Sequence, residues 1–95
     1  MTNSDAQLAD KSMETYLHDC RLKMGESIRE IREKKGYNQE QLADIMKVSR
    51  TTISKIENGK FNCSMDYLSK FSWFLGFEFK MIESKGLINN EYIKK

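Results

Sequence analysis

Two helix-starting side chains set eleven positions apart, Asn38 and Ser49, constrain this chain more than any other feature. Each belongs to a residue type whose side-chain oxygen accepts from the free backbone N–H groups of a first helical turn. Asn38 opens a stretch from Gln39 to Met46 with Leu42, Ile45 and Met46 as apolar positions, and Ser49 opens another running to about Glu57. Only Lys47 and Val48 lie between them, so two short helices must meet at a tight corner. Upstream, residues 24–35 place Met24, Ile28 and Ile31 on one face, with Arg29–Glu33 and Glu30–Lys34 spaced as i,i+4 pairs and Gly36 placed to end the helix. Downstream, Ser64 caps a helix that reaches Leu75 before Gly76 stops it. Over residues 4–20, Ser4 and Gln7 have capping-box spacing, and Met13, Tyr16, Leu17 and Cys20 continue to Met24 as an apolar stripe; both predict an N-terminal helix.

The period changes after Gly76. In Phe77-Glu78-Phe79-Lys80-Met81 apolar and charged residues alternate strictly, which predicts a strand over 77–84. No other segment offers a partner strand, so its ladder is expected to form with the same segment of a second copy. The fourth helix points the same way. Met65, Leu68, Phe71 and Leu75 fit a core within the chain, whereas Tyr67, Trp73 and Phe74 need other cover. The N-terminal helix could supply that cover within one chain. The reading preferred is a two-fold dimer with Trp73, Phe74, Phe77, Phe79 and Met81 at its interface. The expected organisation is therefore an N-terminal helical extension over 1–22, a helical domain over 23–76, a dimerising strand over 77–84 and a flexible tail over 85–95. The fold class is all-α with that one strand as exception.

The helix beginning at Ser49 carries the functional signal. At about 100° per residue, Arg50, Thr51, Ser54 and Lys55 share an arc of roughly 140°, while Ile53 and Ile56 point the other way. Two capped helices joined by a tight turn are the layout of a helix-turn-helix, whose second helix enters the DNA major groove. Arg50 has the fork that matches guanine O6 and N7, Thr51 suits a thymine methyl or a base edge, and Lys55 suits guanine or phosphate. Taken singly, any of these charged residues reads as a solvated helix face. The total charge of +2 says little about partners and is modest for DNA binding, but its distribution makes the middle third the basic part: residues 1–22 carry a net −2, residues 23–60 a net +3 and residues 61–95 a net +1.

From Met24 to Lys60 the sequence MGESIREIREKKGYNQEQLADIMKVSRTTISKIENGK resembles the Xre family, the helix-turn-helix of phage repressors and Cro. The resemblance continues loosely to Gly76. It implies a lambda-repressor-like bundle and a sequence-specific DNA-binding transcriptional regulator, a repressor binding a palindromic operator as a homodimer. It also assigns positions. Gln39 matches the glutamine that braces the complex against phosphate and against the first recognition-helix side chain. Arg50, Thr51 and Lys55 match base readers, with Ser54 a weaker candidate, and Asn58 and Lys60 match phosphate contacts. Ala43, Val48, Ile53 and Ile56 fall in the core. Two positions depart from the pattern. Lys47 stands where the family usually has Gly in the turn, at a cost of about 1 kcal/mol if its backbone is left-handed, and Cys63 stands where the family usually has Pro. The small size and architecture also resemble, more loosely, antitoxins of toxin–antitoxin pairs, which makes a toxin-binding interaction module the alternative reading.

Other classes find little support. An enzyme would need a nucleophile with its base, a metal cluster or a phosphate-binding loop, and none is recognisable. His18-x-Cys20 would aim two ligands some 200° apart on a helix, so neither a metal nor a cofactor is expected. Cys20 and Cys63, 43 residues apart with no C-x-x-C, read as free thiols. With no membrane span or signal peptide visible, the expected location is the cytoplasm and the expected partners are double-stranded DNA and a second copy of the chain.

Overall fold

The computed structural model describes residues 3–83, with side chains from Ser12 onward. Among these, four helices form the fold: α1 (Asn3–Lys34), α2 (Gln39–Met46), α3 (Arg50–Glu57) and α4 (Met65–Leu75). Of the four capping residues read from the sequence, Asn38, Ser49 and Ser64 cap, whereas Ser4 falls inside α1 and its side chain lies outside the described ones. Asn38 accepts from the Gln41 N–H at 2.7 Å while Gln41 Oε1 accepts from the Asn38 N–H at 2.8 Å, a complete capping box. Ser49 accepts from the Thr52 N–H and Ser64 from the Tyr67 N–H.

The expected N-terminal helix and the helix expected from Met24 are one 32-residue rod. No proline or competing cap interrupts it, and Gly25 serves packing rather than termination. A Cβ built on Gly25 would lie 2.5 Å from the Ile56 carbonyl oxygen and 2.6 Å from that of Glu57. The missing side chain is what lets α1 cross the end of α3 at backbone contact. The expected pairing of Arg29 with Glu33 is also replaced, because Arg29 turns toward Glu57 and Asn58 on α3.

The core is built from one stripe of each helix. Ile28 of α1 meets Leu42, Ala43 and Met46 of α2, Ile53 and Ile56 of α3, and Phe71 and Leu75 of α4, all buried. Val48 and Leu68 pack against this cluster from its rim. Met65, expected in the core, is exposed at the first turn of α4. Tyr67, expected to need outside cover, finds it locally between Phe61 and Phe71, with ring centroids 5.5 and 6.2 Å away.

The corner between α2 and α3 holds despite its lysine. Lys47 sits at φ 60°, ψ 45°, the only non-glycine with positive φ among the described residues. The Val48 N–H donates to the Ala43 carbonyl and the Lys47 N–H to that of Asp44, a Schellman closure that requires this left-handed residue. At the other end Gly76, also left-handed, closes α4, and the Ser72 hydroxyl donates to the Phe77 carbonyl.

Beyond Gly76 the expected strand is not formed: residues 77–83 are neither helix nor strand in the single chain. An intermolecular ladder requires a second copy, so a lone chain has no partner edge to offer. The alternative in which α1 covers Trp73 within one chain is not realised, since Trp73 is 82% exposed. The expected tail over 85–95 and Ser84 lie outside the described residues. No helix among the described residues is long and apolar enough to cross a membrane.

Candidate nucleic-acid interface

The α3 surface divides as its 100° periodicity dictates. Ile53 and Ile56 are buried in the core, and on the opposite side Arg50, Thr51 and Lys55 are exposed, with Ser54 half-buried between them. The N-cap fixes where this face begins, because Ser49 Oγ lies 2.8 Å from Thr52 Oγ1 as well as accepting from the Thr52 N–H. Arg50 lines a cleft of about 570 Å³ together with Arg32, Asn38, Gln39 and Glu40. The start of α2 and the start of α3 therefore open onto one polar cleft.

Asn58 and Lys60 close that surface at the other end. Asn58 Nδ2 donates to the Ser54 carbonyl at 2.9 Å, and its Oδ1 accepts from Arg29 Nη2 at 3.2 Å. The Asn58 side chain is thereby held over the last turn of α3 rather than left to swing. Gly59 adopts φ 72° and packs on Leu22, after which the Lys60 N–H donates to the Lys55 carbonyl at 2.8 Å and the Lys60 side chain stands exposed.

Beneath this face lies an ionic cluster that sequence reasoning missed. Glu57, 1% exposed, receives Arg32 Nε at 2.6 Å, Arg32 Nη2 at 3.0 Å and Gln39 Nε2 at 3.0 Å, and Arg29 Nε stands 3.7 Å away. Arg32, itself 6% exposed, spends its remaining Nη1 on the Tyr37 carbonyl at 2.8 Å. The hydrogen bond to Glu57 holds the Arg32 guanidinium above its already high ordinary pKa, against burial, which lowers it. The cluster is fully satisfied, the condition under which buried charges are tolerated. It ties α1, the start of α2 and the end of α3 into one unit. Gln39 consequently faces Glu57, while sharing the cleft with Arg50. The available signal was Glu57 itself, an acid directly after a core isoleucine, but its partner lies 25 residues away and no local spacing joins them.

The helix-turn-helix family matches residues 28–80, more than half of the chain and the segment holding the whole of α2, α3 and α4. The chain belongs to this family. It is a DNA-binding helix-turn-helix transcription regulator of the Xre type, and it is similar to three further proteins. The control protein C.BamHI of Bacillus amyloliquefaciens is 38% identical over 79 residues, which cover 82% of this chain and 98% of that protein. The crystal structure of the restriction-modification controller protein C.AhdI from Aeromonas hydrophila superposes with a TM-score of 0.61 at 31% identity, covering 64% of this chain and 88% of that one. A competence pilus inhibition repressor of Acinetobacter baylyi is 38% identical over 50 residues, half of this chain and 46% of the repressor. This helix-turn-helix protein thus spans nearly the full length of one controller relative and just under half of the repressor.

Proposed function

We propose that this protein is a sequence-specific regulator of restriction–modification genes that binds a palindromic operator as a homodimer and represses where its site overlaps a promoter. The observation that carries the reading is the two-sided α3: isoleucines sealed in the core and Arg50, Thr51 and Lys55 free on a shared arc. In the proposed complex Arg50 and Thr51 read bases first, Lys55 reads one turn later with Ser54 beside it, and Gln39, Asn58 and Lys60 meet phosphates. The relatives favour this gene context, since two of them are named as control proteins and one of those as a restriction-modification controller. The repressor role follows the Acinetobacter relative. The names of these relatives do not favour the antitoxin alternative, and no described residue singles out a toxin-binding surface.

The dimer reading rests on apolar surface. Trp73 and Phe74 on α4 and Phe79 and Met81 beyond it are exposed in the single chain, with Phe77 half-buried beside them. Solvent-facing aromatics of this size, carried by α4 and the segment that follows it, are the composition of a subunit interface. Two copies joined there would hold two α3 helices about 34 Å apart, one turn of DNA.

Titration onto selected and random duplexes at several salt concentrations tests the function, and sedimentation at micromolar concentration tests the dimer. Binding should weaken with salt at a slope of about −0.9 per neutralised phosphate. Lys60→Ala should weaken all sequences alike, whereas Arg50→Ala should relax selectivity at one base position. Salt-independent binding, or a monomer at every concentration, contradicts the corresponding part of the proposal.

A further inference from the structure

We infer that Arg29 and Arg21 of α1 form an additional phosphate-binding point for the DNA backbone at the exit of α3, outside the α2–α3 pair itself. This rests on the DNA-binding reading above. Asn58 lies about 80° round α3 from Arg50, in the middle of the arc that carries the exposed polar face. Arg29 Nη2 is bonded to the Asn58 side chain, so its guanidinium stands at the C-terminal edge of that face. Arg21 Nε donates to the carbonyl of the next residue, Gly59, at 3.4 Å. Between them on the same stripe sits Gly25, whose lack of a side chain holds this part of α1 against the end of α3.

Charge accounts for why an anion belongs there. Glu57 is already neutralised by Arg32 through two short bonds, and Arg29 is a second guanidinium on the same carboxylate at 3.7 Å. The remaining acid near Arg32, Glu33, is 3.9 Å from it and mostly in solvent. Arg29 thus keeps a guanidinium whose side chain is 42% exposed and which is bonded to Asn58, two residues before the exposed Lys60. Cations also stabilise a helix C-terminus through its free carbonyls, and that role alone would explain the Arg21 contact. It would not make DNA affinity depend on either arginine through salt, and this separates the two roles.

The test compares wild-type protein with Arg29→Gln, Arg21→Gln, the double variant and Arg29→Lys on a random-sequence duplex, by fluorescence anisotropy across a range of potassium chloride. Lys23→Gln, about 200° round α1 from Arg21, serves as the charge-matched control. Each lost phosphate contact should flatten the plot of log affinity against log salt by about 0.9, which is about eightfold weaker binding at a tenth molar relative to one molar salt. Arg29→Lys and Lys23→Gln should keep the wild-type slope. A double variant with the wild-type slope, whether or not its unfolding midpoint falls, overturns the inference while leaving the proposed function standing. A wild-type protein without salt-dependent binding overturns both.

Discussion

Replacing Glu57 with alanine removes the acceptor of three hydrogen bonds and leaves Arg32 a buried cation whose remaining acid, Glu33, is 3.9 Å away and mostly in solvent. Breaking a buried ion pair from one side costs about 3–5 kcal/mol, because the orphaned charge keeps its desolvation penalty. A chain of 95 residues has a total stability of about 5–14 kcal/mol at the usual 0.05–0.15 per residue. The variant should therefore lose a large share of its stability, and with a urea slope of about 1 kcal/mol per molar its midpoint should fall by roughly 3 M or more. Urea unfolding followed by far-ultraviolet circular dichroism measures this directly. The paired substitution Glu57→Leu with Arg32→Met removes both charges and should recover most of the loss, since well-packed apolar replacements of buried pairs are often neutral. A single variant within about 1 kcal/mol of wild type, or a double variant worse than the single, would refute the claim that this cluster locks α1 to the end of α3.

Three further outcomes follow from local geometry. Gly25→Ala drives a methyl group to 2.5 Å from the Ile56 carbonyl oxygen, so α1 must move off α3; about 1–3 kcal/mol should be lost in the same urea experiment. Lys47→Gly relieves a left-handed lysine, a gain of about 1–2 kcal/mol reduced by roughly half through the freer unfolded chain, and the midpoint should rise rather than fall. Burial pushes the Cys63 thiol up from its ordinary value, so less thiolate is present in the folded state at pH 8. Iodoacetamide should modify Cys63 more slowly in the native protein than in urea. Any stability this shift contributes is present below the ordinary thiol pKa and is lost as pH rises through the folded value.

What could be read from the sequence was mostly what is encoded locally. The caps at Asn38, Ser49 and Ser64, the two-residue corner and the inward isoleucines of α3 depend on neighbours within a turn or two, and each stands in the structure as read. Lys47 was legible as a strained substitution because the turn's geometry demands one backbone conformation whatever the residue. The features that escaped are tertiary. Gly25 has no local pattern that reveals its purpose, the approach of the Ile56 and Glu57 carbonyls from the far end of α3. Arg29 fitted an i,i+4 pair with Glu33, yet the nearly desolvated Glu57 carboxylate offers a stronger attraction than a solvated glutamate. The alternation after Gly76 is a pattern for pairing, and pairing is not a property of one chain.

The most direct test of the account is which duplexes the wild-type protein and Arg50→Ala retrieve from a random pool. If α3 reads bases through its outward face, the wild type should enrich one sequence, and the variant should lose discrimination at a single base pair by about 1–3 kcal/mol, roughly five- to 150-fold, with the rest of the sequence preserved. Recovery of the same sequence at the same strength by both proteins would show that Arg50 does not face the bases.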